Sequence, residues 1–358
     1  MRIALIGTRG IPARYGGFET FAEELSSRLV ARGHEVVVYT RQPFHAATYL
    51  GVDLCYLPTI RHKYLDTVAH TFLTALHLAY HRVDVVLCCN AANAIFTWIP
   101  RVLGMPVALN VDGLERNRKK WNRLGQAWYQ MSEWLSTWMP NAVVTDAEEI
   151  RRYYRDRYGR ASTMIPYGAE PARVATQAVL DQLQLSPGEY FLYVSRMEPE
   201  NNALLVREAF EKLATGMRLA LIGDAPYANE YIRRVRDTKD ARIAIPGAIY
   251  NPGYSELQSH CFAYIHATEV GGTHPALIEA MGRGALVLYL DTPENAEVAG
   301  GVALPFQHDN LTSAMQQAIE MSATERDQLR AAAQRRVRER YSWEAVTDAY
   351  EKLLSALL

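Results

Sequence analysis

The chain is poor in cysteine and shows no pairing pattern in the little it has. Cys55, Cys88, Cys89 and Cys261 are the four in 358 residues. None stands in a C-x-x-C pair and all fall in apolar, strand-like runs. That argues against a disulfide framework or a thiolate metal site and fits buried thiols in a reducing cytoplasm. No apolar run reaches the length of a membrane span. The opening MRIALIGTRG lacks the longer apolar region of a signal peptide and reads as a first strand. Low-complexity tracts and short repeats are absent. There is no D-x-D pair, and the ten histidines are not read as a ligand set, so no metal is expected. A net charge of −1 with no known binding module argues against nucleic acid.

What is present is an alternation of β-branched apolar runs and helix-period segments. Strands are expected at 3–6, 35–39, 83–88, 107–111 and 142–145. A second series is expected at 190–195, 219–222, 243–245, 262–266 and 286–290. Helices are expected at 19–32, 146–158 and 201–214 among others. Alternating βα units imply parallel sheets with helices on both faces. The length exceeds what one core usually serves, so the fold class is α/β with two doubly wound, Rossmann-like domains. The pattern lapses between 166 and 187, which places the break. Ligands of such sheets bind at the carboxyl ends of the strands, and two facing domains would enclose a cleft. The last segment, SWEAVTDAYEKLLSALL, has apolar residues at helical spacing and needs a surface to cover.

Three segments carry candidate chemistry. The run HATEVGGTHPALIEAMG follows a strand, places Gly271, Gly272 and Thr273 in a loop, and puts Pro275 at a helix start. Backbone N–H groups near Ala276 and Leu277, with the helix dipole, suit an anion. Glu279, about a turn in, repels a phosphate but can accept from the two hydroxyls of a ribose. Phosphate donors beside a diol acceptor describe a nucleotide site. In YVSRMEPENN, Arg196 follows a strand and suits bidentate phosphate contact. The first turn, IGTRGIPARYGGFETF, is glycine-rich without being G-x-G-x-x-G, and Gly16 and Gly17 can bring backbone close to a ligand. The second strand ends without the acidic residue a dinucleotide ribose needs, which disfavours a nicotinamide enzyme; Arg41 is the one residue that leaves room for NADP.

Together GTRGIPARYGGFETFAEEL, GHEVVVYTR, NVDGLERNRKKW, IPYGAE, SRMEPENN, EVGGTHPALIEAMG and YSWEAV resemble the retaining glycosyltransferases of family four, which have the GT-B fold. They are most similar to its bacterial rhamnosyltransferase-like branch, which works on cell-surface polysaccharides. The resemblance runs from residue 5 to about residue 346. It implies an N-terminal acceptor domain over 1–170, a nucleotide-sugar donor domain over 171–340, and a final helix over 341–358 packing back on the N-terminal domain. It implies that Glu279 meets the ribose and Arg196 the donor diphosphate. The wider family's first Glu falls at Gly271, and its companion Lys at Asn201. Gly271 to Thr273 are then implied to hold the donor sugar, and Asn201 joins the donor-binding set. Asp112, in NVDG, is implied to position a sugar hydroxyl; the residues alone allow a capping Asp before Gly113. Such enzymes need no fixed base, no metal and no cofactor.

Arg14, Tyr15, Glu115, Arg118 and Trp121 are expected on the acceptor or membrane side. The stretch 115–123 is basic and holds Trp121, and Trp128, Trp134 and Trp138 follow. Residues 61–82 form an apolar segment flanked by basic residues. Residues 1–170 carry an excess of five positive charges and the remainder an excess of six negative ones. Basic, aromatic helices suit an anionic membrane surface, with the five basic residues of 116–123 as the attachment. Aromatics in the core and charges in solvent remain the alternative. The reading is a cytoplasmic enzyme, peripheral at the inner membrane face. It moves a sugar, rhamnose by resemblance, from a nucleotide diphosphate to a saccharide or polyprenyl-linked saccharide. The rival readings are a nucleotide-sugar epimerase and a non-catalytic sugar-nucleotide binding subunit.

Overall fold

The computed structural model describes residues 1–358 except 14, 15, 61, 63, 64, 119, 120, 226 and 227; of Asn117 only the backbone is described. The chain divides into two compact units. The first is Met1–Tyr167 with Trp343–Leu358, and the second is Gly168–Ser342.

The first unit holds β1 (Arg2–Ile6), β2 (Glu35–Thr40), β3 (Thr48–Tyr49), β4 (Val52–Tyr56), β5 (Val85–Cys89), β6 (Val107–Asn110), β7 (Ala142–Thr145) and β8 (Thr163–Met164). Their order across the sheet is β3-β4-β2-β1-β5-β6-β7-β8, and every pair is parallel except β3 with β4. The second unit holds β9 (Tyr190–Val194), β10 (Arg218–Ile222), β11 (Ile243–Gly247), β12 (Ala263–His266), β13 (Leu286–Leu290) and β14 (Leu304–Phe306). Their order is β11-β10-β9-β12-β13-β14, all parallel. Strands covered on both faces read as continuous apolar runs, and β1, β5, β12 and β13 do so. The expected strands lie within a residue or two of these, and β3, β4, β8 and β14 are additions at the sheet edges. β3, β8 and β14 are short, and all four are, unlike the central strands, only partly buried, so they lack the apolar run that marks a strand.

Each sheet has one point where strand order reverses. In the first unit it lies between β1 and β5, and in the second between β9 and β12. Loops leaving neighbouring strands there run to opposite faces, which opens a crevice at the carboxyl ends. Five helices border these crevices or the surfaces beside them: α1 (Gly17–Ala31), α2 (Asp66–Leu78), α3 (Arg123–Ser136), α4 (Pro275–Gly282) and α5 (Trp343–Ser355).

The last of these, α5, lies on α1. Tyr350 is fully buried, with its ring 5.2 Å from that of Phe21. Its hydroxyl accepts from Asn110 Nδ2 at 2.8 Å. At the rim Arg32 reaches Glu344, Asp348 and Glu351 at 2.6–2.8 Å. These pairs are exposed, so the buried Tyr350–Asn110 contact matters more to stability. Tyr350→Phe leaves a buried amide without this partner and should cost about 1–3 kcal/mol. Urea unfolding followed by circular dichroism should show an earlier midpoint; an unchanged midpoint would mean water satisfies Asn110.

Candidate functional site

In the second unit, the loop after β9 carries Arg196 and the loop after β12 carries Gly271–Thr273, so both flank the strand-order reversal. They are tied together. Asn202, at φ 61°, donates from Nδ2 to the Ala267 carbonyl at 2.8 Å and to Glu269 Oε1 at 2.9 Å. Glu269 N–H in turn donates to the Glu200 carbonyl at 3.0 Å. The Arg196 loop is positioned by a close approach from β10: a Cβ on Gly223 would stand 1.9 Å from the Ser195 carbonyl oxygen. Only glycine allows that contact. The sequence reading missed Gly223, although IGDAP does place a glycine directly after a strand.

Arg196 itself is partly exposed, with its guanidinium 4.0 Å from the Glu198 carboxylate. Asn201 needs a correction. It is buried, and its Nδ2 donates to the Arg196 carbonyl at 2.6 Å. It braces the Arg196 loop from beneath and does not line a ligand surface. Leu277 is also fully buried. Its N–H donates to the His274 carbonyl at 3.1 Å, and Pro275 has no N–H. Of the first three helical positions of α4, that leaves the Ala276 N–H as the one suited to an anion. Glu279 is partly exposed, and its Oε2 accepts from the Tyr254 hydroxyl at 2.5 Å. Gln258 Nε2 donates to the same hydroxyl at 2.8 Å and fixes its orientation. Burial first, and then the Glu279 charge, push the Tyr254 hydroxyl pKa well up, so it remains a donor to the carboxylate.

In the first unit, Gly7 ends β1 at φ 88°, where a Cβ would stand 2.3 Å from the Cys89 carbonyl oxygen. The loop after it is stapled to α1 by two carboxylates. Glu19 accepts from the Arg9 N–H at 2.9 Å and Glu23 from the Ala13 N–H at 2.7 Å. Gly16 caps α1 in extended geometry and Gly17 begins it. A Cβ on Gly16 would meet only Glu19 Oε2, at an ordinary 3.6 Å, so its neighbours leave room beside this helix start. Arg41 is buried against Asp66 at 3.0 Å and is not placed for a 2′-phosphate.

Asp112 follows β6 at φ 58°, and Asn90 follows β5 at φ 76°. Non-glycine residues with such angles store on the order of 1–3 kcal/mol of strain and cluster at functional sites. Asp112 N–H donates to Asn110 Oδ1 at 3.0 Å, and the Tyr167 hydroxyl donates to Asp112 Oδ1 at 3.4 Å. Burial, and next the neighbouring Glu115, raise the Asp112 pKa, while Arg118 and a hydrogen bond with Asp146 oppose them. The NVDG run alone gave no sign of Asp146.

The acceptor-side set divides. Arg14 and Tyr15 lie outside the described residues, as do Lys119 and Lys120. Arg118 is buried in a pair with Glu115, and Arg116 reaches Glu133 at 3.4 Å and the Tyr153 hydroxyl at 2.7 Å. Of the expected basic membrane patch, these two arginines pair inward, while Arg123 is exposed. There is also an apolar pocket of about 310 Å³, lined by residues of α2 and α3 and by Leu65, Ala92, Trp121 and Asn122. The Trp128 indole N–H is buried there without a hydrogen-bond partner. Leu124 stands at the rim, 80% exposed. Trp134 and Trp138 are exposed and pack ring to ring at 5.2 Å, so the aromatics are not all core. His77 and His81 also stack, with ring centroids 3.9 Å apart, a spacing the sequence reading passed over. Among the described residues no group of three or more metal-ligating side chains forms. Nor is any helix among them long and apolar enough to cross a membrane.

Residues 188–323 match the family described as "Glycosyl transferases group 1", and residues 1–170 match a "Domain of unknown function (DUF1972)". The chain is similar to the lipopolysaccharide 1,2-N-acetylglucosaminetransferase of Salmonella typhimurium, at 27% identity over 237 residues. That match takes in 59% of this chain and 61% of the relative, so it spans about three-fifths of the relative's length. Two solved structures are similar over nearly the whole chain. Anabaena Alr3699/HepE in complex with UDP-glucose has a TM-score of 0.81 at 15% identity, covering 100% of each chain. Sucrose-phosphate synthase from Thermosynechococcus elongatus has 0.78 at 19%, covering 99% of each. At these identities the likeness establishes the fold, which is GT-B.

Asp112→Asn keeps a side chain that tolerates positive φ, so the protein should melt within about 2 °C of wild type, a shift of a few tenths of a kcal/mol. Glycosyl transfer should fall at least tenfold if the carboxylate positions a sugar hydroxyl. Full transfer activity in the folded variant would return Asp112 to a capping role.

Proposed function

We propose that the chain is a retaining, metal-independent hexosyltransferase. It moves a sugar from a nucleotide diphosphate to a saccharide in cell-surface polysaccharide synthesis. The observation that carries this reading is the pairing of Arg196 and the Gly271–Thr273 loop across one strand-order reversal, with Glu279 a turn into α4. Such an edge suits a ligand with a charged middle and a diol. The match of residues 188–323 to group 1 glycosyltransferases supports the same region as the donor domain. The UDP-glucose held by the Anabaena neighbour and the lipopolysaccharide reaction of the Salmonella relative fit a sugar nucleotide and a saccharide acceptor.

The chemistry then asks little of side chains. The acceptor hydroxyl attacks the anomeric carbon from the face the diphosphate leaves, and the departing phosphate oxygen takes its proton. Arg196 and the Ala276 N–H meet the charge that develops on the leaving oxygen. Glu279 holds the ribose so that the bond to be broken is fixed in place. Asp112 orients a hydroxyl, and no cofactor takes part. Rhamnose is the sugar that the resemblance favours.

A thermal-shift screen of UDP, GDP and dTDP sugars tests the donor. A ligand at a hundred times its Kd adds about 2.7 kcal/mol of apparent stability. One nucleotide series should raise the melting temperature, and Glu279→Ala should cut its affinity by about 1.5–3 kcal/mol. Arg196→Ala should lower kcat more than it alters KM. Absence of any shift, or a Glu279→Ala variant with wild-type affinity, would remove the nucleotide reading. C2 inversion of a donor incubated alone would favour the epimerase.

The acceptor is lipid-linked in this reading, at the inner membrane face in the cytoplasm. The pocket bounded by Leu65, Val68, Leu124, Trp128 and Tyr129 supports this, because its walls suit hydrocarbon. Leu124→Asp should raise KM for a polyprenyl-linked acceptor at least tenfold, since a charge at the rim opposes an apolar chain. Vesicle binding should persist at high salt, because apolar residues carry it. Equal KM values in variant and wild type would point to a water-soluble acceptor.

A further inference from the structure

We propose that Tyr254 and Gln258 are positioning residues for the nucleotide. Through them the helix Gly253–His260 holds Glu279 ready for the ribose and ties it to the residue suited to the diphosphate. The proposal deepens the donor-site reading above and rests on it.

The helix that carries the pair is itself fixed. The Tyr190 hydroxyl, at the start of β9, donates to the Leu257 carbonyl at 2.6 Å. Glu256 is buried and accepts from the Val179 N–H at 2.5 Å and the Leu180 N–H at 3.2 Å. Side chains on this helix are therefore placed by the body of the second unit.

The direction of each hydrogen bond follows from one carbonyl. Gln258 is fully buried, with Nε2 3.2 Å from the Ala276 carbonyl oxygen and 2.8 Å from the Tyr254 hydroxyl. A carbonyl only accepts, so the Gln258 NH₂ must face it and the amide cannot stand the other way round. The Tyr254 oxygen then accepts from Gln258, and its single proton goes to Glu279 Oε2, 2.5 Å away. Gln258 Oε1 is buried without a hydrogen-bond partner. An orphan acceptor is destabilising, so the two N–H donors are what hold the side chain in this orientation.

A carboxylate on a partly exposed helix position turns readily about its last torsion. With Oε2 held by Tyr254, the plane of the Glu279 carboxyl is set before a nucleotide arrives, and less ordering remains for binding. The same Gln258 amide holds Ala276 by its carbonyl. One side chain thus sets the separation between the ribose acceptor and the N–H suited to the diphosphate. Tyr254 and Gln258 need not touch the ligand, because they act through Glu279 and Ala276.

The test compares nucleotides that differ only in the ribose hydroxyls. UDP, GDP and dTDP are each titrated calorimetrically beside their 2′,3′-dideoxy counterparts, which keep base and diphosphate. Wild type should prefer the nucleotide it binds over the dideoxy counterpart by about tenfold or more, as expected for a hydrogen bond to a charged group. Tyr254→Phe should lower that preference about fivefold and leave dideoxy affinity unchanged. Gln258→Met lets the Tyr254 hydroxyl turn and should lower the preference too; it carries the test if Tyr254→Phe does not fold. In a Glu279→Ala background Tyr254→Phe should change nothing further, because the two side chains act as one unit. An unchanged preference in either folded variant, whether affinity is kept or lost for both nucleotides alike, would overturn the assignment. So would additive losses with Glu279→Ala. A wild-type protein that binds nucleotide without preferring the hydroxyls would instead defeat the ribose role of Glu279, and one that binds none would defeat the donor reading.

Discussion

Close backbone approach at the carboxyl ends of the strands governs what can stand there. Gly7 lies against the Cys89 carbonyl, and Gly223 lies against the Ser195 carbonyl. Each contact is too near for any side chain. A β-carbon on Gly7 would push apart the loops at the first sheet's reversal, and one on Gly223 would displace the loop after β9 that carries Arg196. In each unit the loop geometry therefore depends first on a position with no side chain.

A second layer of polar side chains converts those approaches into fixed loops. Asn202 ties the Arg196 loop to the loop after β12, Asn201 braces the Arg196 carbonyl, and Asn295 sets the His274 ring. Glu19 and Glu23 perform the same task for the first turn. These groups sit where a ligand reading is tempting. They are instead largely engaged with backbone amides and carbonyls, as buried polar groups must be. A catalyst that works by positioning and by stabilising a leaving diphosphate needs such bracing, since small displacements weaken charge stabilisation steeply.

The core strands and the Gly271–Thr273 turn into a helix were legible because their signals are local. A doubly buried parallel strand must be a continuous apolar run, and a strand followed by Gly-Gly-Thr-x-Pro must turn into a helix. Edge strands β3, β4 and β14 were not, since partial exposure removes the run that marks a strand. Asn201 was misjudged because proximity in sequence to Arg196 says nothing of which way an amide points. Asp146 and Gly223 were missed because their importance comes from partners 34 and 28 residues away, which no local pattern encodes. Within the basic stretch 115–123, the inward turn of Arg116 and Arg118 was hidden for a related reason: charge can be counted from sequence, but pairing with Glu133 and Glu115 cannot.

The inward pairing of these arginines changes how the first unit would meet its acceptor. A basic patch acts at the range of a Debye length and weakens with salt. With Arg116 and Arg118 paired inward, the described surface around α2 and α3 offers hydrocarbon beside the exposed Arg123: Leu124, Phe72, Leu76, Trp134 and Trp138 are exposed. Apolar contact is short-ranged and insensitive to salt, and it scales with the area removed from water. Were the acceptor lipid-linked, as proposed, hydrocarbon binding remote from the reacting bond would supply energy to hold a weakly bound hydroxyl in line.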